Sequence, residues 1–288
     1  MRRTHTLPLP DGRSLLLGER TLVMGILNVT PDSFADGGLH TDPARAIEAG
    51  LAMVEAGADI IDVGGESTRP GAAEVPAEEE LRRVLPVIEG LARQAGVPLS
   101  VDTWKADVAR AALDAGAALV NDISGLRFDP ALAGVVARAR AALVLMHTRG
   151  RPAVMAQYAT YADVIGEVAA ELAVQLETAV RAGIPRDAVI LDPGLGFAKG
   201  SEHSTALLAR LDAPPLGALG RPWLVGPSRK SFLRAAVGEI PAPDRDWATA
   251  AAVTAAILHG AHVVRVHRVP EMVQVARVAD MIKAGRPG

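Results

Sequence analysis

The chain has 288 residues, 49% of them hydrophobic, and a formal net charge of -3 with both signs spread along it. That length and apolar content support a large core and exclude general disorder, while the balanced charge excludes a nucleic-acid footprint or a basic membrane patch. There is no cysteine, which removes disulfides, thiolate nucleophiles and thiolate metal sites, and no stretch reaches the roughly 20 apolar residues of a membrane span, so a cytoplasmic location is expected.

In chain order, HTLPLPDGRSLLLG comes first, with Asp-Gly between two apolar runs, the pattern of a β-hairpin. Eight short apolar runs follow: VMGILN (23–28), DIIDVGG (59–65), PLSVDT (98–103), LVNDIS (119–124), ALVLMHT (142–148), VILDPG (189–194), WLVGPSRK (223–230) and HVVRVH (262–267). Stretches of helical period separate them, such as ARAIEAGLAMVEAG and KADVARAALDAG, several ending in a glycine suited to a helix C-terminus. Runs apolar throughout suit strands covered on both faces, as in a parallel sheet. Eight such units over about 250 residues fit a single α/β domain, 1–288, built as a (β/α)8 TIM barrel whose N-terminal β-hairpin closes the floor. A doubly wound open sheet is the competing arrangement. The loops after the first two strands and the segment 149–161 are the longest connections, hence candidate lids.

In a barrel, catalytic groups stand where strands end. Those positions hold Asn28, Asp62, Asp102, Asn121, His147, Asp192, Lys230, Arg265 and His267, with Glu66 and Arg69 just beyond Asp62. Helix N-caps also place Asp, Asn and Ser at such points, but Asp102, Asn121 and Asp192 lie inside or at the last residue of an apolar run, where a buried carboxylate requires partners. Two chemical subsets result. Asp102, Asn121 and Asp192 are rich in acceptors and suit a flat heterocycle edged with N–H donors. Arg69, Lys230, Arg265 and His267 suit a phosphate or carboxylate. With 26 arginines against only 4 lysines, each lysine invites inspection. The seven histidines lack HxxxH or HExxH spacing, so zinc is not expected, whereas Mg2+ needs few protein oxygens and Asn28 offers one. No GxSxG supports a serine nucleophile.

The strings NVTPDSFADGG (28–38), IIDVGGESTRPGA (60–72), SVDT (100–103), NDIS (121–124), LMHTRG (145–150), LDPGLGFAK (191–199), VGPSRKSF (225–232) and RVH (265–267) together closely resemble the dihydropteroate synthase family, in order, from about Leu22 to the end. The resemblance implies condensation of 6-hydroxymethyl-7,8-dihydropterin diphosphate with 4-aminobenzoate, assisted by Mg2+, in a homodimer. It further implies that Asp102, Asn121, Asp192 and Lys230 hold the pterin, and that Asn28, Arg265 and His267 receive the diphosphate, with Asn28 also on Mg2+. Thr68 and Arg69 would ride on a mobile second loop, Ser231 would meet the aminobenzoate carboxylate, and Phe34 and Pro70 would flank its ring. Asp102, Asp192, Lys230, Arg265 and His267 form the catalytic set, and loss of Arg265 would cost pyrophosphate affinity while sparing the pterin. NDISGL and Trp104 depart from forms common in the family without touching that set, though Trp104 bears on how the third helix begins. A pterin-binding methyltransferase and a non-catalytic homologue share the barrel; the cationic ends favour the synthase.

Overall fold

The computed structural model describes residues 2–30, 42–69 and 71–285. Strands β1 (His5–Pro8) and β2 (Ser14–Leu17) form an antiparallel hairpin about the Asp11-Gly12 turn, with Gly12 at positive φ. Eight parallel strands follow: β3 (Leu22–Asn28), β4 (Ile60–Gly64), β5 (Leu99–Asp102), β6 (Leu119–Asp122), β7 (Ala142–Met146), β8 (Val189–Asp192), β9 (Leu224–Val225) and β10 (Val263–Val266). They lie in the order β8-β7-β6-β5-β4-β3-β10-β9. A bridge between Leu191 and Trp223, with the Leu191 N–H donating to the Pro222 carbonyl at 2.9 Å, brings β9 back to β8 and closes the barrel. The open-sheet alternative is thereby excluded.

Among the described residues eight helices of eight residues or more lie around the strands: α1 (Pro43–Glu55), α2 (Ala77–Ala92), α3 (Ala106–Asp114), α4 (Leu132–Ala139), α5 (Val164–Arg181), α6 (Ser201–Ala209), α7 (Asp246–Leu258) and α8 (Val269–Ala284). Local chemistry fixes their ends. Asp42 caps α1 by accepting from the Ala44 N–H at 2.9 Å, and Pro43 stands at the first helical position where its missing N–H costs nothing. Helix α3 has no side-chain cap of its own; the Ala106 N–H donates instead to Asp129 from the next unit, at 2.8 Å. Trp104, just upstream, is buried edge-on against Phe128. The α7 segment reads as apolar all round, yet one face of it is open to solvent, where Trp247 is 89% exposed.

Strand parity then sorts the core. Val23, Leu27, Ile61, Val63, Val101, Val120, Leu143 and Leu191 face the helices, while Met24, Ile60, Leu119, Val144, Ile190, Leu224 and Val263 fill the barrel axis. The hairpin's Leu7, Leu9 and Leu17 join the axial cluster, so the floor is plugged by three leucines whose burial contributes roughly 2 kcal/mol each. The same alternation carries Asp62, Asp102, Asn121, Asp192 and Arg265 inward, one step higher, at the C-terminal mouth. Among the described residues no helix is long and apolar enough to cross a membrane.

Candidate active site

At the mouth the carboxylates and cations do not form separate banks. Arg265, from β10, donates through Nε to Asp62 Oδ2 at 2.6 Å and through Nη2 to Asp102 Oδ2 at 2.7 Å. Asp62 Oδ2 also accepts from Asn121 Nδ2 at 2.9 Å, which leaves the Asn121 oxygen as that amide's free acceptor. Asp62 Oδ1 and Asp102 Oδ1 are buried and have no partner among the described residues. Two orphaned oxygens on carboxylates that share one guanidinium are costly unless a ligand brings donors. Burial pushes Asp102 up to about 7 against the opposing charge of Arg265. Asp62 belongs to this site too; it stands among the strand-end positions but outside the expected acceptor set, although its place inside the apolar run IIDV is the same signal that marks Asp102 and Asp192.

Asp192 closes the other side. Its Oδ1 accepts from the Gly194 N–H at 2.7 Å, and burial raises its pKa while Lys230, Lys199 and Arg265 pull it down. Lys230 reaches across to the Leu195 carbonyl at 2.6 Å and lies 4.8 Å from the centre of the Phe197 ring. Burial lowers it to about 8, against the pull of Asp192. The turn that arranges these groups requires glycine at 194: φ is +68°, and a Cβ there would stand 1.9 Å from the His147 carbonyl oxygen. Met146, Ile123 and Trp104, with Phe128 and Phe197 packed on them, make an apolar wall at the same end.

His267 is tied by its Nδ1 to Ser228 Oγ at 2.9 Å, and the Ser228 oxygen already accepts the His267 backbone N–H. A hydroxyl that donates to Nδ1 leaves the ring proton on Nε2, facing away from Ser228. Burial, then Arg265 and Arg229, drive His267 down to about 3, so at neutral pH it offers a hydrogen bond and no charge. Arg229, in the SRKS string, is held at positive φ and paired to Asp246, and serves the backbone rather than the mouth. Ser231 is exposed on the following turn. Thr68 is half-buried and Arg69 exposed, with the Arg69 charge felt at His267. Phe34 and Pro70 lie outside the described residues.

The second loop is anchored more than its composition suggests. Gly65 is buried, and a Cβ there would meet Val84 of α2 at 2.8 Å, so that glycine answers to close packing. Glu66 holds the Val75 N–H at 3.1 Å and pairs with Lys105. Gly71, at φ +79° with open space about it, is the permissive position, and its N–H donates to the Pro152 carbonyl at 3.2 Å. The 149–161 segment is tied as well: Arg149 donates to Glu171 at 3.0 Å and Glu167 at 2.8 Å, and Met155 is buried.

Asn28, at the end of β3, supplies an oxygen at this mouth. Its Oδ1 and Asp102 Oδ2 lie 3.8 and 3.6 Å from the point where a Cβ on Gly64 would sit. Neighbouring hard oxygens, one carboxylate incompletely satisfied, fit a magnesium ion that takes its remaining ligands from phosphate. Among the described residues no group of three or more His, Asp or Glu is placed to hold a metal unaided.

One consequence concerns stability. His147, His262 and His267 each use a ring nitrogen as acceptor, from Lys199, the Trp223 N–H and Ser228 respectively, and burial lowers them to about 4, 4 and 3. All three are neutral when folded and bind a proton near the usual 6.5 once unfolded, so their contribution is intact above that pH and is lost as pH falls toward the folded values. Each should forfeit on the order of 1–2 kcal/mol between pH 7 and 5. Urea unfolding at the two pH values measures it, and equal stabilities would remove the buried neutral histidines from the account.

A closed eight-stranded barrel that gathers acceptors for a flat ring and cations for an anionic tail at one mouth is a pterin-binding barrel in chemistry. The chain matches the model of the pterin binding enzyme family over residues 24–267, and it belongs to that family. It is 48% identical to the dihydropteroate synthase of Synechocystis sp. over 96% of this chain and 95% of that protein. Among solved structures, the Xanthomonas albilineans dihydropteroate synthase with 4-aminobenzoic acid matches with a TM-score of 0.90 and 44% identity, over 98% and 99% of the two chains. The same enzyme in complex with 7,8-dihydropteroate gives 0.84 and 41%, over 96% and 99%.

Proposed function

We propose that this site joins 6-hydroxymethyl-7,8-dihydropterin diphosphate to 4-aminobenzoate, forming 7,8-dihydropteroate and pyrophosphate. The observation that carries the reading is the pair of unsatisfied buried oxygens on Asp62 and Asp102, set across one mouth from Asp192 and Lys230. A pterin edge supplies the N–H donors those oxygens lack, and Met146 and Phe197 offer apolar surface to its faces.

The chemistry breaks the bond from the pterin methylene to the diphosphate oxygen and forms one from that methylene to the arylamine nitrogen, which then releases a proton. Positive charge grows on the pterin as the oxygen leaves, and Asp102 and Asp192 favour it electrostatically. Arg265 and Arg69 attract the departing diphosphate, while His267 donates to it as a neutral ring. Asn28 would hold a magnesium ion, which when bound would supply charge neutralisation to the leaving diphosphate. Ser231, Phe34 and Pro70 are assigned to the aminobenzoate. A neutral arylamine is already nucleophilic at pH 7, so no strong base is required. A methyltransferase would have no use for this concentration of cations beside the acceptors. Release of pyrophosphate on mixing both substrates with Mg2+ is the expected result; pterin binding without pyrophosphate release would defeat the assignment.

A cytoplasmic homodimer completes the proposal. Helices α7 and α8 expose Trp247, Leu258, Val278, Met281 and Ile282, apolar surface that a second copy would cover. Sedimentation should give twice the chain mass, and Trp247→Glu should shift the protein toward monomer; a monomer at micromolar concentration for the unsubstituted chain would refute it.

A further inference from the structure

Lys199 stands outside the substrate-binding roles given above, though its charge reaches Asp192 and it donates to His147. It is 7% exposed, and its Nζ meets three acceptors: His147 Nδ1 at 2.8 Å, the Phe197 carbonyl at 3.0 Å and the His147 carbonyl at 3.4 Å. With its Nδ1 accepting, His147 carries its proton on Nε2 and donates to Glu171 at 3.0 Å, and Glu171 is gripped in turn by Arg149. Three acceptors about one nitrogen suit an ammonium, because a neutral amine would turn its lone pair toward an oxygen or ring nitrogen. Burial pushes Lys199 well below the ordinary lysine range, and Asp192 is the charge that most opposes this.

We propose that Lys199 is a positioning residue for pterin capture, clamping the 193–199 segment onto His147 and supplying the buried positive charge that keeps the Asp192 carboxylate ionised. The proposal rests on the reading of Asp192 as a pterin ligand. The clamped segment holds the Gly194 N–H that bonds Asp192 and the Leu195 carbonyl that bonds Lys230. Lys199 grips the same His147 carbonyl that forbids a side chain at Gly194, so one ammonium ties the end of β7 to the turn after β8 beside the reacting groups. The charges facing Asp192 are Lys230, Lys199 and Arg265. Those facing Lys199 are Asp192, Lys230, Glu171 and Arg149, beside the hydrogen-bonded His147.

Lys199→Met keeps most of the side-chain volume and removes the charge. In that variant the KM for the pterin diphosphate should rise about tenfold with the KM for 4-aminobenzoate unchanged, and the acidic limb of kcat/KM against pH should move up by about one unit, since a nearby cation lowers a carboxylate by that order. A uniform fall in kcat with the limb unmoved would mean a purely structural role and overturn the proposal. Should the variant not fold, the unsubstituted protein still decides. With four lysines in the chain, the Lys199 15Nζ resonance is assignable; it should be that of an ammonium at pH 7 and move as Asp192 titrates, and a neutral-amine signal would overturn the proposal. If Asp192→Asn keeps its pterin affinity, the reading of the site fails; if that affinity is lost while the Lys199→Met limb stays in place, only the role of Lys199 fails.

Discussion

Asp192→Asn should lower kcat/KM for the pterin diphosphate by about three orders of magnitude, because the site would present a donor where its ligand brings donors. One carboxylate oxygen already holds the Gly194 N–H. An asparagine must set its NH2 either against that N–H or against the ring N–H groups, and it also removes the negative charge that favours a cationic pterin. The fold should survive. Burial disfavours the Asp192 carboxylate, but Lys199 and Lys230 lose the charge that most opposes their own burial, so the two effects oppose each other and the melting temperature should change little. Calorimetry with a pterin analogue, alongside steady-state rates, separates lost binding from lost chemistry. A variant with near-native kcat/KM would show that Asp192 is not a pterin ligand.

Much of this arrangement can be read from the order of residues, because a strand alternates and a parallel barrel faces one way. The apolar runs became the eight strands within one or two residues at most ends, though WLVGPSRK contributes only Leu224–Val225 before its glycine and proline stop the ladder. The hairpin followed from its Asp-Gly turn, the inward carboxylates from their place in the apolar runs, and the helix ends from their glycines. What stays hidden is distance across the barrel. Asp102 and Arg265 are 163 positions apart yet bonded at 2.7 Å, so a reading along the chain sorts them into an acceptor set and a cationic set that are in fact one interlocked group. Nor does sequence spacing disclose that His267 is neutral, since that follows from burial beside Arg265, or that Arg229 turns away to Asp246 while its neighbour Lys230 enters the mouth.

That interlock changes what Arg265→Ala should do. Taken as a diphosphate ligand alone, Arg265 could be lost while pterin binding persisted; held by Asp62 and Asp102, it cannot. Its removal strands two carboxylates, Asp62 at 0% and Asp102 at 9% exposed, and breaking a buried pair from one side costs about 3–5 kcal/mol. Asp102, already raised to about 7 with Arg265 as the main charge opposing burial, should rise further and hold a proton at pH 7.5. Folding then favours the protonated carboxyl while the unfolded chain ionises near pH 4, so the stability deficit should deepen as pH rises from 6 to 8 and shrink as it falls. A protonated Asp102 also presents a hydroxyl donor to the pterin edge, so affinity for a pterin analogue should fall with affinity for pyrophosphate, by roughly tenfold or more for each. Adding Asp102→Asn to Arg265→Ala should recover part of the stability and flatten its pH dependence, because it removes one stranded charge. If urea unfolding shows the single variant within about 1 kcal/mol of the parent, with pterin affinity intact, the contacts of Arg265 with Asp62 and Asp102 carry no energy, and its function lies with the diphosphate alone.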